Sequence, residues 1–299
     1  MYRKIMGFLE AWKENEHRKP LILQGARQVG KTYSILEFGR IHYENVAYFN
    51  FETNPKLNET FEEKISPDYL IPILSHIAGQ TIVKEKTLIV FDEVQLCERA
   101  LTSLKYFCED APDYHIIVAG SLLGVAVNRA KFSFPVGKVD MKTLYPMDME
   151  EFMIAVGEDE LVEQIKKCFE TNRPMPSALH DAAMQLYRQY LVVGGMPECV
   201  MQFVQTGDYI LIRHTQDTIL TSYLNDMGKY NNLNEIKKPR LAYDNITVQL
   251  SKKNTRFQYK LIKKGGRASE FENAIEWLCL SGIVSQVYRV EQIKKPLEN

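Results

Sequence analysis

Lys31, Thr32, Asp92 and Glu93 are the residues of this chain whose types and spacing could do chemistry. Lys31 and Thr32 close the run Gly25-Ala26-Arg27-Gln28-Val29-Gly30-Lys31-Thr32, which fits the pattern G-x-x-x-x-G-K-[ST]. Glycines at Gly25 and Gly30 allow torsions and close approaches that a Cβ would block. Successive backbone N–H groups and the positive end of a following helix then face an anion. Lysine and threonine in this order imply a cation for β- and γ-phosphates and a hydroxyl for Mg²⁺. The octapeptide, with Tyr33 directly after it, is the expected contact surface for ATP or GTP. A plain glycine-containing turn is the bland alternative, and the flanks argue against it. Pro20–Gln24 reads as a buried strand, and Tyr33 to Gly39 as the first turns of a helix.

Asp92 and Glu93 end a second apolar run, Thr87-Leu88-Ile89-Val90-Phe91. Such a run belongs in a parallel sheet covered on both faces, and ligands collect at the carboxyl ends of its strands. Asp92 is therefore expected to hold Mg²⁺ together with Thr32. Glu93, on the opposite side of an alternating strand, is the expected base for an attacking water. A lone Asp-Glu pair is usually an exposed strand end; the phosphate loop in the same chain makes the catalytic reading stronger. A third run, Tyr114-His115-Ile116-Ile117-Val118-Ala119-Gly120, stops at Ser121. A hydroxyl there suits either a γ-phosphate sensor or a helix cap, and spacing alone leaves both open.

Taken together these motifs resemble those of a widespread family of bacterial and archaeal AAA-type ATPases. The resemblance rests on the phosphate loop, Phe91-Asp92-Glu93-Val94-Gln95, and Ala119-Gly120-Ser121-Leu122-Leu123-Gly124. It extends through Ser133-Phe134-Pro135-Val136-Gly137-Lys138-Val139, Leu144-Tyr145-Pro146-Met147, Glu151-Phe152 and Gly194-Gly195-Met196-Pro197. It implies an ATPase core, a helical lid and a winged-helix-like region, often followed by a restriction-endonuclease-like tail. It also implies that Ser121 is a sensor, and that Pro197 resembles the lid proline that touches adenine in related switch ATPases. Composition alone reads Gly194-Gly195-Met196-Pro197 as one helix stopping and the next starting. The chain ends at Asn299, just after the presumed wing, so no nuclease-like tail is expected and no nuclease function is carried over.

The elements that must position these residues follow from periodicity. Runs at Pro20–Gln24, Asn45–Glu52, Thr87–Asp92, Tyr114–Gly120 and Gly137–Leu144 alternate with helical stretches, which predicts a parallel α/β sheet with helices on both faces. From Pro146 the pattern turns helical, with Glu151–Val156, Glu160–Thr171, Leu179–Val193, Glu198–Gln205 and Asp208–Asn225 carrying apolar residues at helical spacing. The expected division is an ATPase core over 1–146, a helical lid over 147–228 and a winged-helix-like domain over 229–299.

Charge separates the last part from the rest. Residues 229–299 hold 14 Lys and Arg against 7 Asp and Glu, a net +7, leaving −8 for the residues before them. A helix from Ala268 to Leu280 and an alternating strand from Ile283 to Val290 are expected there. Basic loops on a winged helix suit a phosphate backbone, so DNA is one expected partner and a protein surface the other. Glu235-Ile236-Lys237 has a nuclease-like E-x-K string without a strand or an acidic partner, and is rejected.

Composition excludes several classes. No segment has the uninterrupted apolar length of a membrane span, and Met1 to Trp12 lacks the features of a signal peptide. Five scattered cysteines without a C-x-x-C pair suit reduced thiols in the cytoplasm, and the six histidines lack metal-ligand spacing.

The residues thus favour an Mg²⁺-dependent ATPase that works as a switch or small motor. A nucleotide-responsive DNA- or protein-binding regulator with incidental hydrolysis is the alternative. A small-molecule kinase ranks lower, because the Asp92-Glu93 pair suits water activation. An arginine finger in trans would require an oligomer. The nearby arginines, Arg27 and Arg129, read better as surface or structural residues.

Overall fold

Two of the apolar runs are buried at every position. Thr87–Asp92 forms β3 and His115–Gly120 forms β4. They occupy the middle of a five-stranded, all-parallel sheet of order β2-β3-β4-β1-β5, with β1 at Leu21–Gln24, β2 at Asn45–Asn50 and β5 at Asp140–Thr143. The edge strands β2 and β5 have the mixed burial expected of strands with one open side. This is a computed structural model, and it describes residues 1–120, 134–229, 237–252, 256–263 and 266–288.

Helices cover the sheet. They are α1 (Ile5–Glu14), α2 (Lys31–His42), α3 (Lys56–Glu63), α4 (Pro67–Ala78) and α5 (Glu98–Asp110). One apolar cluster joins β2, β3 and β4 to α3, α4 and α5, with Phe49, Phe51, Phe61 and Phe91 in mutual edge and tilted contacts. Burial of several such rings, each worth roughly 1.5–3 kcal/mol, fixes the sheet that carries the motifs. In register, Gln24 lies beside both Gly120 and Thr143, and Asn50 beside Asp92. The carboxyl ends of all five strands therefore gather at one edge.

The chain after Pro146 is helical, as its periodicity predicts. It forms α6 (Met149–Ala155), α7 (Asp159–Glu170), α8 (Ser177–Val193), α9 (Pro197–Thr206) and α10 (Tyr209–Lys229). Asp148 and Glu151 close a capping box at the start of α6. Phe152 stacks on Phe203 and tilts against Tyr190, tying α6 to α9 and α8.

The chain divides into two compact units, Met1–Tyr223 and Leu224–Asn299. In the second, α11 (Lys237–Leu250) and α12 (Ala268–Leu280) pack around Phe271, Ala274, Ile275 and Leu278. Buried Gln249 donates to the Gln258 carbonyl and accepts from its N–H. The strand expected over Ile283–Val290 differs: residues 283–288 carry no regular structure, and Arg289 and Val290 lie outside the described residues. A wing strand needs a pairing partner, and this unit contains no strand among its described residues.

Candidate active site

The phosphate loop runs from β1 into α2 through three left-handed or open torsions, at Gly25 (φ 149°), Gln28 (φ 64°) and Gly30 (φ 90°). Gly25 has a packing reason beyond the ligand approach expected of it. A Cβ there would sit 2.2 Å from the Leu144 carbonyl oxygen, because the chain leaving β5 runs against the loop. Gly30 is required by its torsion, and it caps α2 with no side-chain bond to the first-turn amides. Those N–H groups and the helix dipole make an anion-binding end. Ala26 and Val29 are buried beneath the loop, Gln28 is exposed, and Tyr33 projects 60 % exposed from the first turn of α2.

Lys31 is buried, and its Nζ donates to the carbonyls of Gly25 and Ala26 at 3.0 and 2.8 Å. Burial drives its pKa down to about 8; Glu93 and Asp92 oppose that shift, and Arg27 adds to it. An ammonium this poorly hydrated gains more than an exposed one from meeting an anion.

Asp92 collects donors. Its Oδ2 accepts from Thr32 Oγ1 and from the Tyr48 hydroxyl, each at 2.8 Å, and its Oδ1 accepts from the Glu93 N–H at 3.0 Å. The loop threonine and the strand-end aspartate are thus in direct contact, although 60 residues separate them in the chain. Tyr48 reaches this point because β2 pairs with β3 in register. Its phenol is pushed up to about 12, mainly by burial.

Glu93 is not placed by strand alternation. It lies beyond β3 in a left-handed conformation (φ 52°, ψ 39°), which opens a single 3₁₀ turn over Val94–Leu96. A non-glycine residue held there costs on the order of 1–3 kcal/mol, a cost found most often at functional sites. Its carboxylate accepts from the Gln95 amide and feels both Asp92 and Lys31. Burial, the largest influence, raises its pKa above the usual carboxylate value, which makes it a stronger base.

The later motifs surround the loop. Leu144 donates its N–H to the Gln24 carbonyl, and Met147 donates to the Gly195 carbonyl at 2.7 Å. A Cβ on Gly195 would lie 2.1 Å from the Met147 oxygen, so this glycine is needed for close approach of two backbones. Pro197 opens α9, and its Cγ lies 3.7 Å from where a Cβ on Gly30 would be, which puts this proline beside the phosphate loop. Ser121 and Arg129 lie outside the described residues.

Three side chains that sequence reasoning missed also meet the site. Tyr48 holds Asp92, as described above. Buried Arg3 donates to the Val29 carbonyl at 2.9 Å and the Tyr145 carbonyl at 2.7 Å, and pairs with Glu151 at 3.2 Å. Tyr223, near the end of α10, donates its hydroxyl to the Arg27 carbonyl at 2.7 Å. Tyr48 had a faint signal as a polar ring near the end of a strand; Arg3 and Tyr223 had none.

Residues 17–153 match the family model of an AAA domain, and residues 184–298 match a domain of unknown function (DUF8612). A comparison with curated protein sequences found no match. Among solved structures, the Walker-type ATPase PABY2304 of Pyrococcus abyssi is similar at 16 % identity and a TM-score of 0.56, covering 94 % of this chain and 89 % of its own. The ORC2 protein of Aeropyrum pernix aligns over 95 % of this chain and 87 % of its own at 11 % identity, with a TM-score of 0.47. The 16 % identity of the Pyrococcus abyssi ATPase speaks to fold alone, and the parallel sheet with its loop between β1 and α2 agrees with it. The chain has the P-loop NTPase fold, and its residues 17–153 are similar to an AAA domain.

Proposed function

We propose that this chain binds ATP with Mg²⁺ and hydrolyses it, working as a nucleotide-driven switch or small motor. The observation that carries this reading is the 2.8 Å contact between Thr32 Oγ1 and Asp92 Oδ2, beside a buried Lys31 and a half-buried Glu93 of raised pKa. The donor set fits Mg²⁺. A hydroxyl and a carboxylate oxygen in contact are hard oxygen ligands of the kind this ion takes with waters and phosphate oxygens. Among the described residues no group of three or more His, Cys, Asp or Glu could hold a metal by itself, so a transition-metal centre is not the model for this site.

Thr32 and Asp92 would hold the ion, which when bound neutralises charge on the transferred phosphoryl group. Residues 25–30 wrap the phosphates with backbone N–H groups, and Lys31 exchanges its loop carbonyls for phosphate oxygens. Glu93 accepts a proton from the attacking water, with Gln95 steadying its carboxylate. Ser121 is assigned the sensor role that the family resemblance implies, and Pro197 the contact with adenine. Tyr33, exposed on the first turn of α2, is assigned a place on the nucleotide's open side. Residues 1–146 act as the core, 147–228 as the lid and 229–299 as the output domain. A cytoplasmic location suits the five free cysteines and the lack, among the described residues, of a helix long and apolar enough to cross a membrane.

The test is Mg²⁺-dependent phosphate release from ATP by the wild type and Glu93→Gln side by side. Loss of a general base lowers the rate by about 10²–10⁴-fold. Equal rates in the two proteins would remove Glu93 from the mechanism, and no release by either would remove stand-alone hydrolysis.

One observation favours a second reading, a nucleotide-responsive regulator that binds DNA. The net charge of +7 over residues 229–299 stands against −8 for the residues before them. Neutralising phosphates with these cations makes retention on DNA strongly salt-dependent. Salt-insensitive or absent retention on duplex DNA would leave a protein surface as the partner.

A further inference from the structure

The phosphate loop is held at two of its carbonyls by side chains from distant parts of the chain. Tyr223 reaches it from α10 and bonds the Arg27 carbonyl; Arg3 reaches it from the residues before α1 and bonds the Val29 carbonyl. Both are well buried, at 9 % and 5 % exposure. A trans peptide group is planar, with its C=O and N–H pointing in opposite directions. Fixing the Arg27 carbonyl therefore fixes the Gln28 N–H, and fixing the Val29 carbonyl fixes the Gly30 N–H. Each amide is aimed away from the side chain that holds its plane. Gln28 and Gly30 are also the loop's two residues in the left-handed region beyond Gly25, so alternate peptide planes are set by torsion and by bond together. Such alternation makes the concave row of N–H groups that binds anions.

From this geometry we infer that Arg3 and Tyr223 are positioning residues for phosphate binding. They hold the Gln28 and Gly30 amides in their binding orientation before the nucleotide arrives. The inference rests on the proposed nucleotide-binding reading and adds two residues to it. Neither side chain is a phosphate ligand. The Arg3 charge is matched by buried Glu151, which also accepts from the Lys4 N–H and closes the capping box of α6. The Arg3 guanidinium has a third partner in the Tyr145 carbonyl. One planar fork thus joins the N-terminal segment, the loop, the chain leaving β5 and the start of α6, a geometry that a lysine ammonium cannot reproduce. Preorganised donors act without reorganisation cost at the moment of binding, which is where their advantage lies.

Tyr223→Phe is the informative variant, because it removes one hydroxyl and keeps the ring. Tyr190→Phe is its matched control. That hydroxyl donates to the Met147 carbonyl at 2.9 Å, outside the loop. Affinity for Mg²⁺ with the non-hydrolysable analogue AMPPNP is measured by calorimetry on protein shown to be folded. In parallel, the Gln28 and Gly30 amide signals are followed by ¹⁵N NMR.

Tyr223→Phe is expected to weaken binding about three- to tenfold, the worth of one neutral hydrogen bond. It is also expected to move the Gln28 signal before ligand is added. Tyr190→Phe is expected to stay within about twofold of the wild type at a similar loss of Tm. Arg3→Lys is expected to follow Tyr223→Phe in affinity and to move the Gly30 signal. Wild-type binding with Tyr223→Phe unchanged, or weakened no more than Tyr190→Phe, overturns the positioning role alone. No binding by the wild type overturns this role and the nucleotide-binding reading together.

Discussion

The two ends of the same sheet both bury titratable groups, and they do opposite things with them. At the carboxyl ends of the strands, Lys31, Asp92 and Glu93 lie close enough to influence one another. At the amino end of β4, His115 shares a 2.7 Å hydrogen bond with Tyr43, with Trp12 edge-on to the His115 ring. Burial pushes His115 down to about 4, helped by Arg18 and Lys13, and raises Tyr43, so both groups stay neutral at ordinary pH. Burial is therefore the largest cause of perturbed pKa values at both ends. What distinguishes the site is the convergence of opposite charges on left-handed backbone at Gln28, Gly30 and Glu93. A perturbed group signals chemistry only when its neighbours also offer charge and reach.

The contrast breaks most sharply at Lys31. Lys31→Met is expected to lower phosphate release by about 10²–10³-fold, as loss of a donor to developing charge does. Its Tm should stay within a few degrees, because a desolvated ammonium is replaced by an apolar side chain. A large fall in Tm with little change in rate would make Lys31 a structural residue like His115.

Glycines sharpen the same comparison through the backbone. Gly25→Ala drives a Cβ toward the Leu144 oxygen, so a loss of about 1–3 kcal/mol in unfolding free energy should accompany weakened nucleotide binding. Gly79, the left-handed cap of α4, has open space around it. Gly79→Ala should cost about 1–2 kcal/mol from its torsion alone and leave binding unchanged. Denaturant titration and calorimetry on the two variants separate the effects.

pH tests the two ends with smaller signals. His115 has a folded pKa below its unfolded value, so its unfolded form binds the extra proton between about pH 6.5 and 4. Stability should fall as pH drops through that window, with a slope below the ceiling of about 1.4 kcal/mol per pH unit for one proton. His115→Phe should flatten that part of a stability profile measured by urea unfolding, with phosphate release retained.

Lys31 also has a folded pKa below its unfolded value. Its contribution to stability therefore rises with pH between about 8 and 10.5, while its usefulness to an anion declines. Nucleotide affinity should weaken above pH 8, and binding at pH 8 should take up about half a proton. Calorimetry in two buffers of different ionisation enthalpy measures that uptake, and zero uptake would detach Lys31 from the phosphates.

Local pattern reached far into this molecule. The apolar runs at Thr87–Asp92 and His115–Gly120 dictate buried parallel strands, because a strand covered on both faces admits little else. The glycine, lysine and threonine spacing fixes the loop, since only a few residues can satisfy its torsions and its charge. Other features depended on residues far apart in sequence. Glu93 appeared placeable by alternation, but the chain turns left-handed at that residue and aims the carboxylate by another route. Gly25 and Gly195 are needed because Leu144 and Met147 pass within a Cβ's reach of them. Arg3 and Tyr223 have no motif at all. Sequence by itself determined the sheet, its helices and the loop residues, because those are set by periodicity and by torsions within a few residues. Only tertiary structure decided which carbonyls of that loop are held, by what, and from how far along the chain, because those bonds join segments that no local pattern relates.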